Sequence, residues 1–336
     1  MISIVMPSYN SSAFIREAID SVIAQTFPHF ELLVCDDGST DDTIGIVEEL
    51  AGKDGRIRLI RNQHGGVSRN CNVGLREARF PWIARLDADD IAVPDRLETQ
   101  VRAAERHPDV VCWGGGARLI SRHGRRLRGT QLGPVNASEF EEARRTGKVI
   151  YVLGPTVMFR RDLALELGGY DPRFDGAEDI ELLSRLADRG QVRTLPKVLT
   201  HYRIHGQSVT AHRSAKQRVL FSFIEARNRA RLAGCDLELD DFVAARSARP
   251  AIVRLREAVA GVGSQYYRNT SIHFAERRLF KAVGTASVAL ALQPVTTSQR
   301  FGGRVARGIS RRIAEAAGIG GRGMELAPET GDQPVR

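Results

Sequence analysis

The chain has 336 residues, 42% of them hydrophobic and 26% charged, which excludes disorder over most of its length and allows one large α/β domain with an appendage, or two domains. Its formal charge of +9 is unevenly placed: residues 1–210 carry 28 Lys/Arg against 29 Asp/Glu (−1), and residues 211–336 carry 21 against 11 (+10). That basic third reads either as a surface for an anionic partner or as a solvated helical face, with Arg (44) far outnumbering Lys (5).

The elements begin with the apolar run Ile2–Met6, a strand closed by Pro7. A helix starts at Ser11 or Ser12, with Phe14, Ala18, Ile19, Val22 and Ile23 at helical spacing. Glu31–Cys35 reads as a second buried strand, followed by the turn and capping cluster Asp36-Asp-Gly-Ser-Thr. Helix 42–51, strand 57–60, helix 68–78 and strand 82–86 continue the alternation, which predicts βαβ units and a parallel sheet with its binding loops at one edge. Asp95–Arg106 is a helix ended before Pro108, Val110–Cys112 a strand, and 117–130 a hairpin around His123-Gly124. Pro155–Arg160 is a strand, Glu178–Asp188 a short helix, and Leu195–Ile204 is extended despite Pro196. From 211 to 283 the pattern is helical. A helix at 303–316 precedes a Gly/Pro-rich tail, 317–336, expected to be disordered. The division expected is an α/β domain over 1–210, a helical region over 211–316, and the tail. Cys35, Cys71, Cys112 and Cys235 have no metal-type spacing, and reduced thiols are expected. The opening run lacks the basic region and length of a signal peptide, and no window reaches the ~18–20 apolar residues of a membrane span. A cytoplasmic location is expected.

Four clusters carry chemistry. Pro7-Ser-Tyr-Asn10 and Asp36-Asp-Gly-Ser39 each follow a strand, where a carboxylate can accept an imide N–H or a ribose hydroxyl and Tyr9 can stack on a base; turn chemistry accounts for the same residue types. Leu86-Asp-Ala-Asp-Asp90 puts Asp87 and Asp89 on one side and Asp90 on the other. So many carboxylates after an apolar strand call for a compensating cation, and Mg2+ or Mn2+ bridging them to a diphosphate fits oxygen ligands. Glu178-Asp179 opens a helix, which ordinary helix-dipole chemistry also explains, yet transfer to a hydroxyl needs one base. His201 and His205 share a face at even spacing.

Together these stretches resemble the family 2 glycosyltransferases. The resemblance rests on Ser3–Asn10, Asp36–Thr43, Gly65–Ser68 with Asn72 and Gly74, Leu86–Asp90 with Pro94–Leu97, Gly154–Arg160, Glu178-Asp179 with Glu181, and Tyr202–His205, in the family's order over about 60% of the chain. It implies the GT-A fold, a Rossmann-like, mostly parallel central sheet flanked by helices, here with a C-terminal helical extension, and an inverting transfer from a nucleotide-diphosphate sugar such as a UDP-sugar. It implies that Pro7, Tyr9 and Asp37 hold the base, that Asp87 lies near the ribose and Asp89 on the metal, that Asp179 is the catalytic base with Glu178 orienting the acceptor, and that His205 touches the metal or diphosphate. Where many relatives have an Arg before the Asn of the Gly-Val-Ser…Asn stretch, this chain has Cys71; Arg69 is the candidate substitute for gripping the nucleotide sugar.

The expected acceptor is a saccharide or lipid-linked hydroxyl, in synthesis of surface polysaccharide or glycolipid. Arg304, Arg307, Arg311 and Arg312 against Val305, Ile309 and Ile313 make 303–316 a basic amphipathic helix suited to an anionic membrane, which would place the protein peripherally at the inner face of the cell membrane; packing on the protein's own domain is the competing reading. A sugar nucleotidylyltransferase would carry a glycine-rich, Lys-containing signature near the N-terminus that is absent here. A nucleic-acid binder would need stacking aromatics, which are sparse in the basic third, and no known nucleic-acid module appears there.

Overall fold

The computed structural model describes residues 1–205, 214–275 and 278–293; the expected helix 303–316 with its four arginines, and the tail 317–336, lie outside them. Strands β1 (Ile2–Ser8) and β2 (Phe30–Asp36) are buried almost throughout, as continuous apolar runs are at the centre of a sheet covered on both faces. β3 (Ile57–Arg61) and β4 (Trp82–Arg85) complete a parallel set in the order β3-β2-β1-β4. Helices α1 (Ile15–Ile23), α2 (Thr43–Ala51) and α3 (Val67–Glu77) make the crossovers. Helix α3 approaches the sheet closely because Gly74 faces Val5 and Cys35 Sγ, where an added Cβ would collide.

The sheet then changes character. After β5 (Ile91–Ala92) and α4 (Arg96–Arg106), β6 (Val110–Ser121) and β7 (Arg126–Thr130) form the expected hairpin. β8 (Met158–Arg160) lies antiparallel between β4 and β6, and the long β9 (Gln191–Ile204) runs parallel to β6 and carries β5 on its far edge. The full order is β3-β2-β1-β4-β8-β6-β9-β5, with β7 beside β6. β6 extends well past Cys112 because Gly114 and Gly115 let it pass against Val152 and Leu199, whose side chains occupy the space of any Cβ there. Between β7 and β8 the pattern reading assigns no element, yet α5 (Ala137–Thr146) forms there, capped by Asn136, whose Oδ1 accepts from Glu139 N at 2.9 Å, and ended by Gly147 in the left-handed region.

Two hydrophobic clusters cover the sheet. Helix α6 (Arg161–Glu166), a short 3-10 turn at Pro172–Phe174, and α7 (Glu178–Leu186) build one of them. That cluster continues past residue 210: α8 (Ser214–Leu232) adds Leu220, Phe223 and Ile224 to the core that holds Phe174, Ile180 and Leu183. Glu181 of α7, 2% exposed, receives Arg185 and also Arg227 of α8 at 2.8 Å. Among the described residues three further helices follow, α9 (Leu239–Ser247), α10 (Ala251–Ala275) and α11 (Leu279–Leu292). No helix among the described residues is long and apolar enough to cross a membrane.

Candidate active site

The four parallel strands end at one edge, and the register aligns Ser8 of β1 with Asp36 of β2. Asp36 is spent on the turn itself: its Oδ2 accepts from Gly38 N (3.1 Å) and Ser39 N (2.9 Å). Asp37, 5% exposed, faces the neighbouring loop instead, its Oδ1 accepting from Gly65 N at 2.9 Å and its Oδ2 from Gly66 N at 3.1 Å. Gly66 sits at φ +92°, and a side chain there would run into Asp175, so glycine is required on both counts. Tyr9 is 47% exposed, its ring centroid 4.5 Å from that of His64, whose Nδ1 lies 2.9 Å from Asp37. Pro7 precedes them in β1, and the exposed Arg69 lays its Cδ over Gly65. Pro7, Tyr9, Asp37 and Arg69 therefore gather around one loop edge, with no ion pair to Arg69 among the described residues.

The acidic cluster after β4 is organised by a residue that sequence reasoning passed over. Arg85, 6% exposed, donates from Nε to Asp87 Oδ1 (2.9 Å) and from Nη1 to Glu178 Oε1 (3.1 Å). Glu178 is 5% exposed, and its other oxygen accepts from Gly176 N at 2.8 Å. Both its oxygens are thus committed inward, which differs from the acceptor-facing part that the resemblance implies for it. Asp179 is half-buried; its Oδ1 accepts from Ile180 N (2.8 Å), and Oδ2 lies over Gly154, 2.6 Å from where a Cβ would stand. Burial first, and then the neighbouring Glu178, push its carboxyl up to about 7. Burial likewise raises Asp87, against the pull of Arg85.

Asp90 turns inward, as its spacing predicts: its Oδ1 accepts from Arg203 N at 2.7 Å, and burial raises it well above the usual carboxylate range. Asp89 stays partly open and meets His205, whose Nε2 is 2.9 Å from Oδ2. Arg203, 2% exposed, fixes this junction by donating to Asp89 O (2.7 Å), Arg122 O (2.8 Å) and Glu17 Oε2 (2.6 Å). His201 does not join it; burial, Arg126 and Arg118 lower its pKa on the sheet face.

Among the described residues no three His, Cys, Asp or Glu side chains converge as a metal cage. The Asp89–His205 pair nevertheless fits a divalent ion. Donors of about 2.1 Å bond length at adjacent octahedral positions stand about 3 Å apart, the separation found here, and carboxylate with imidazole suits Mn2+ while leaving positions for diphosphate oxygens. His205 Nδ1 is buried without a partner among the described residues.

A Rossmann-like, mostly parallel sheet with acidic loops gathered at one edge is the arrangement of the GT-A fold. Residues 3–168 match the glycosyl transferase family 2 model. The chain is 32% identical over 193 residues to EpsE of Bacillus subtilis, provisionally named a glycosyltransferase, covering 56% of this chain and 67% of EpsE. It is 27% identical over 210 residues to a chondroitin synthase of Escherichia coli, covering 62% of this chain but only 30% of the synthase. Residues 1–349 of S. aureus TarS, solved with UDP-GlcNAc, superpose with a TM-score of 0.58 at 19% identity over 90% of this chain and 92% of that one. Mannosyltransferase PcManGT of Pyrobaculum calidifontis, solved with GDP-Man and Mn2+, gives 0.51 at 19% over 92% and 80%. The chain belongs to glycosyltransferase family 2.

Proposed function

We propose that the protein transfers a sugar from a UDP-sugar to an acceptor hydroxyl with inversion at the anomeric carbon, Asp179 serving as the base. The observation that carries this reading is the unequal treatment of two neighbouring carboxylates: Glu178 is ion-paired with Arg85, whereas Asp179 makes no ion pair among the described residues, feels Arg85 only at a distance, and is raised to about 7. A carboxylate so poised takes a proton from a hydroxyl near neutral pH.

Asp37 accepts the N–H of the base, Tyr9 stacks on it beside Pro7, and Arg69 reaches from the same loop toward the diphosphate. Asp87 faces the ribose, and Asp89 with His205 holds Mg2+ or Mn2+. The metal, when bound, neutralises the charge that grows on the departing nucleotide. Asp179 removes the acceptor proton as the new C–O bond forms, and a single displacement with one base gives inversion.

The acceptor proposed is a saccharide or lipid-linked glycan at the cytoplasmic membrane face, the basic Arg304, Arg307, Arg311 and Arg312 contacting anionic lipid. Polysaccharide synthesis by the chondroitin synthase, a much longer relative, supports the acceptor class, and the neighbour bound to UDP-GlcNAc supports the donor class. The deciding experiment is Asp179→Asn, assayed for donor turnover with Mn2+ and for UDP binding by thermal shift. Turnover falls at least about a hundredfold with the UDP shift intact; parallel loss of both removes Asp179 from the role of base.

A further inference from the structure

Nothing local separates Glu178 from Asp179. Both sit in the first turn of α7, where the helix dipole favours either anion. Their fates diverge through a residue 93 positions earlier in the chain. Arg85 ends β4, one residue before the acidic loop, and its guanidinium is spread between the two halves of the site: Nε on Asp87, Nη1 on Glu178. A guanidinium is a planar fork with its donors at fixed angles, so it sets the separation of the two carboxylates as well as their charge; a lysine ammonium cannot.

We propose that Arg85 is the positioning residue of the transfer: by claiming Glu178 it leaves Asp179 as the base, and by holding Asp87 with the same guanidinium it fixes that base relative to the donor. This rests on the transferase reading of Asp179.

Three further observations bear on it. Among the described residues, the charged and titratable groups that act on Asp179 are Glu178 beside it on α7, Asp87 after β4, the Tyr170 phenol and Arg85, and of these Arg85 alone is a cation. The loop before α7 is tied down at two adjacent residues: Asp175 accepts from Ser68 Oγ at 2.5 Å, and Gly176 O accepts from Gln217 of α8 at 2.6 Å. Arg85 therefore meets a Glu178 whose other oxygen is held by the same tied loop, through Gly176 N at 2.8 Å. Finally, Arg96 Nη2 donates to the Arg85 carbonyl at 2.8 Å, pinning the strand end from which the guanidinium projects.

The charge arrangement gives signs that a merely structural role would not. Arg85 lowers the Asp179 pKa and Glu178 raises it. The test follows carbodiimide labelling of Asp179 against pH by peptide mass spectrometry on the full chain, a readout of carboxyl protonation that needs no turnover. The wild-type midpoint lies at about 7; it moves up in Arg85→Met and down in Glu178→Gln. Arg85→Lys keeps the charge, so its midpoint stays near wild type, while turnover of whichever UDP-, GDP- or dTDP-sugar the wild type hydrolyses fastest with Mn2+ falls roughly tenfold to a hundredfold through lost positioning. If Arg85→Met does not fold, Glu178→Gln and Arg85→Lys carry the test. A Glu178→Gln midpoint that stays or rises, or Arg85→Lys with wild-type turnover, overturns the proposal. Asp179→Asn with full turnover would instead overturn the reading of Asp179 as base and leave the labelling result standing.

Discussion

A single methyl group at residue 154 tests the base without touching its chemistry. Gly154 opens a 3-10 turn and does not need the left-handed region, so alanine is compatible with the backbone. The added Cβ would stand 2.6 Å from Asp179 Oδ2, and, its chain neighbours aside, the three atoms nearest it all belong to that side chain. Ordinary van der Waals contact begins at 3.4 Å, so the carboxylate must give way by about 0.8 Å. Rotating a side-chain end is cheap, and Gly154→Ala is expected to change stability by less than about 1 kcal/mol. Catalysis is not so forgiving, because a displacement of about 1 Å at reacting atoms can cost on the order of a hundredfold in rate. We expect kcat to fall between about tenfold and a hundredfold, with the UDP-induced thermal shift unchanged. The assay is donor turnover with Mn2+ on the purified chain, beside a thermal melt. Wild-type kcat in a folded Gly154→Ala protein would refute the argument that the Oδ2 position matters.

Other outcomes follow from the same geometry. Because protonated Asp179 cannot accept a proton and its pKa lies at about 7, turnover should fall as pH drops through 7, with roughly a tenth remaining at pH 6; a flat profile down to pH 5 contradicts the assignment. His205→Ala should raise the Mn2+ concentration for half-activity roughly tenfold or more, measured by metal titration after EDTA treatment, and unchanged metal demand would remove His205 from the site. Glu181→Ala removes the carboxylate that pairs the buried Arg227 and the half-buried Arg185, a loss of about 3–5 kcal/mol and a Tm lower by roughly 6–20 °C, read by calorimetry.

The parallel half of the sheet was legible in the sequence. β1, β2 and β4 are short apolar runs with no competing pattern, and the residues just past them, Tyr9, Asp37 and Asp87, could only stand at the sheet edge. Asp90 also turned inward as its spacing required. The second half was harder to read for physical reasons. Gly114-Gly-Gly116 looks like a turn, yet it lies within β6 because close packing against Val152 and Leu199 leaves no room for side chains. Helix α5 announced itself only by its caps, Asn136 with Glu139 and then Gly147, since only Phe140 of its residues is buried. Arg85 was invisible for a different reason: a lone arginine at a strand end is ordinary, and its meaning lies in a partner brought near by the tertiary fold.

The loop that holds Asp37 also bears on which nucleobases the site can read. Two backbone N–H groups, from Gly65 and Gly66, fix the carboxylate with both oxygens presented as acceptors. An ionised carboxylate has nothing to donate. Uracil, thymine and guanine bring an N–H to the ring position it would contact, whereas cytosine and adenine bring a lone pair. If Asp37 reads the base, activated sugars carried on cytidine or adenosine are turned away at the door by lone-pair repulsion, and the selection costs the protein no clash, no added loop and no bulky side chain.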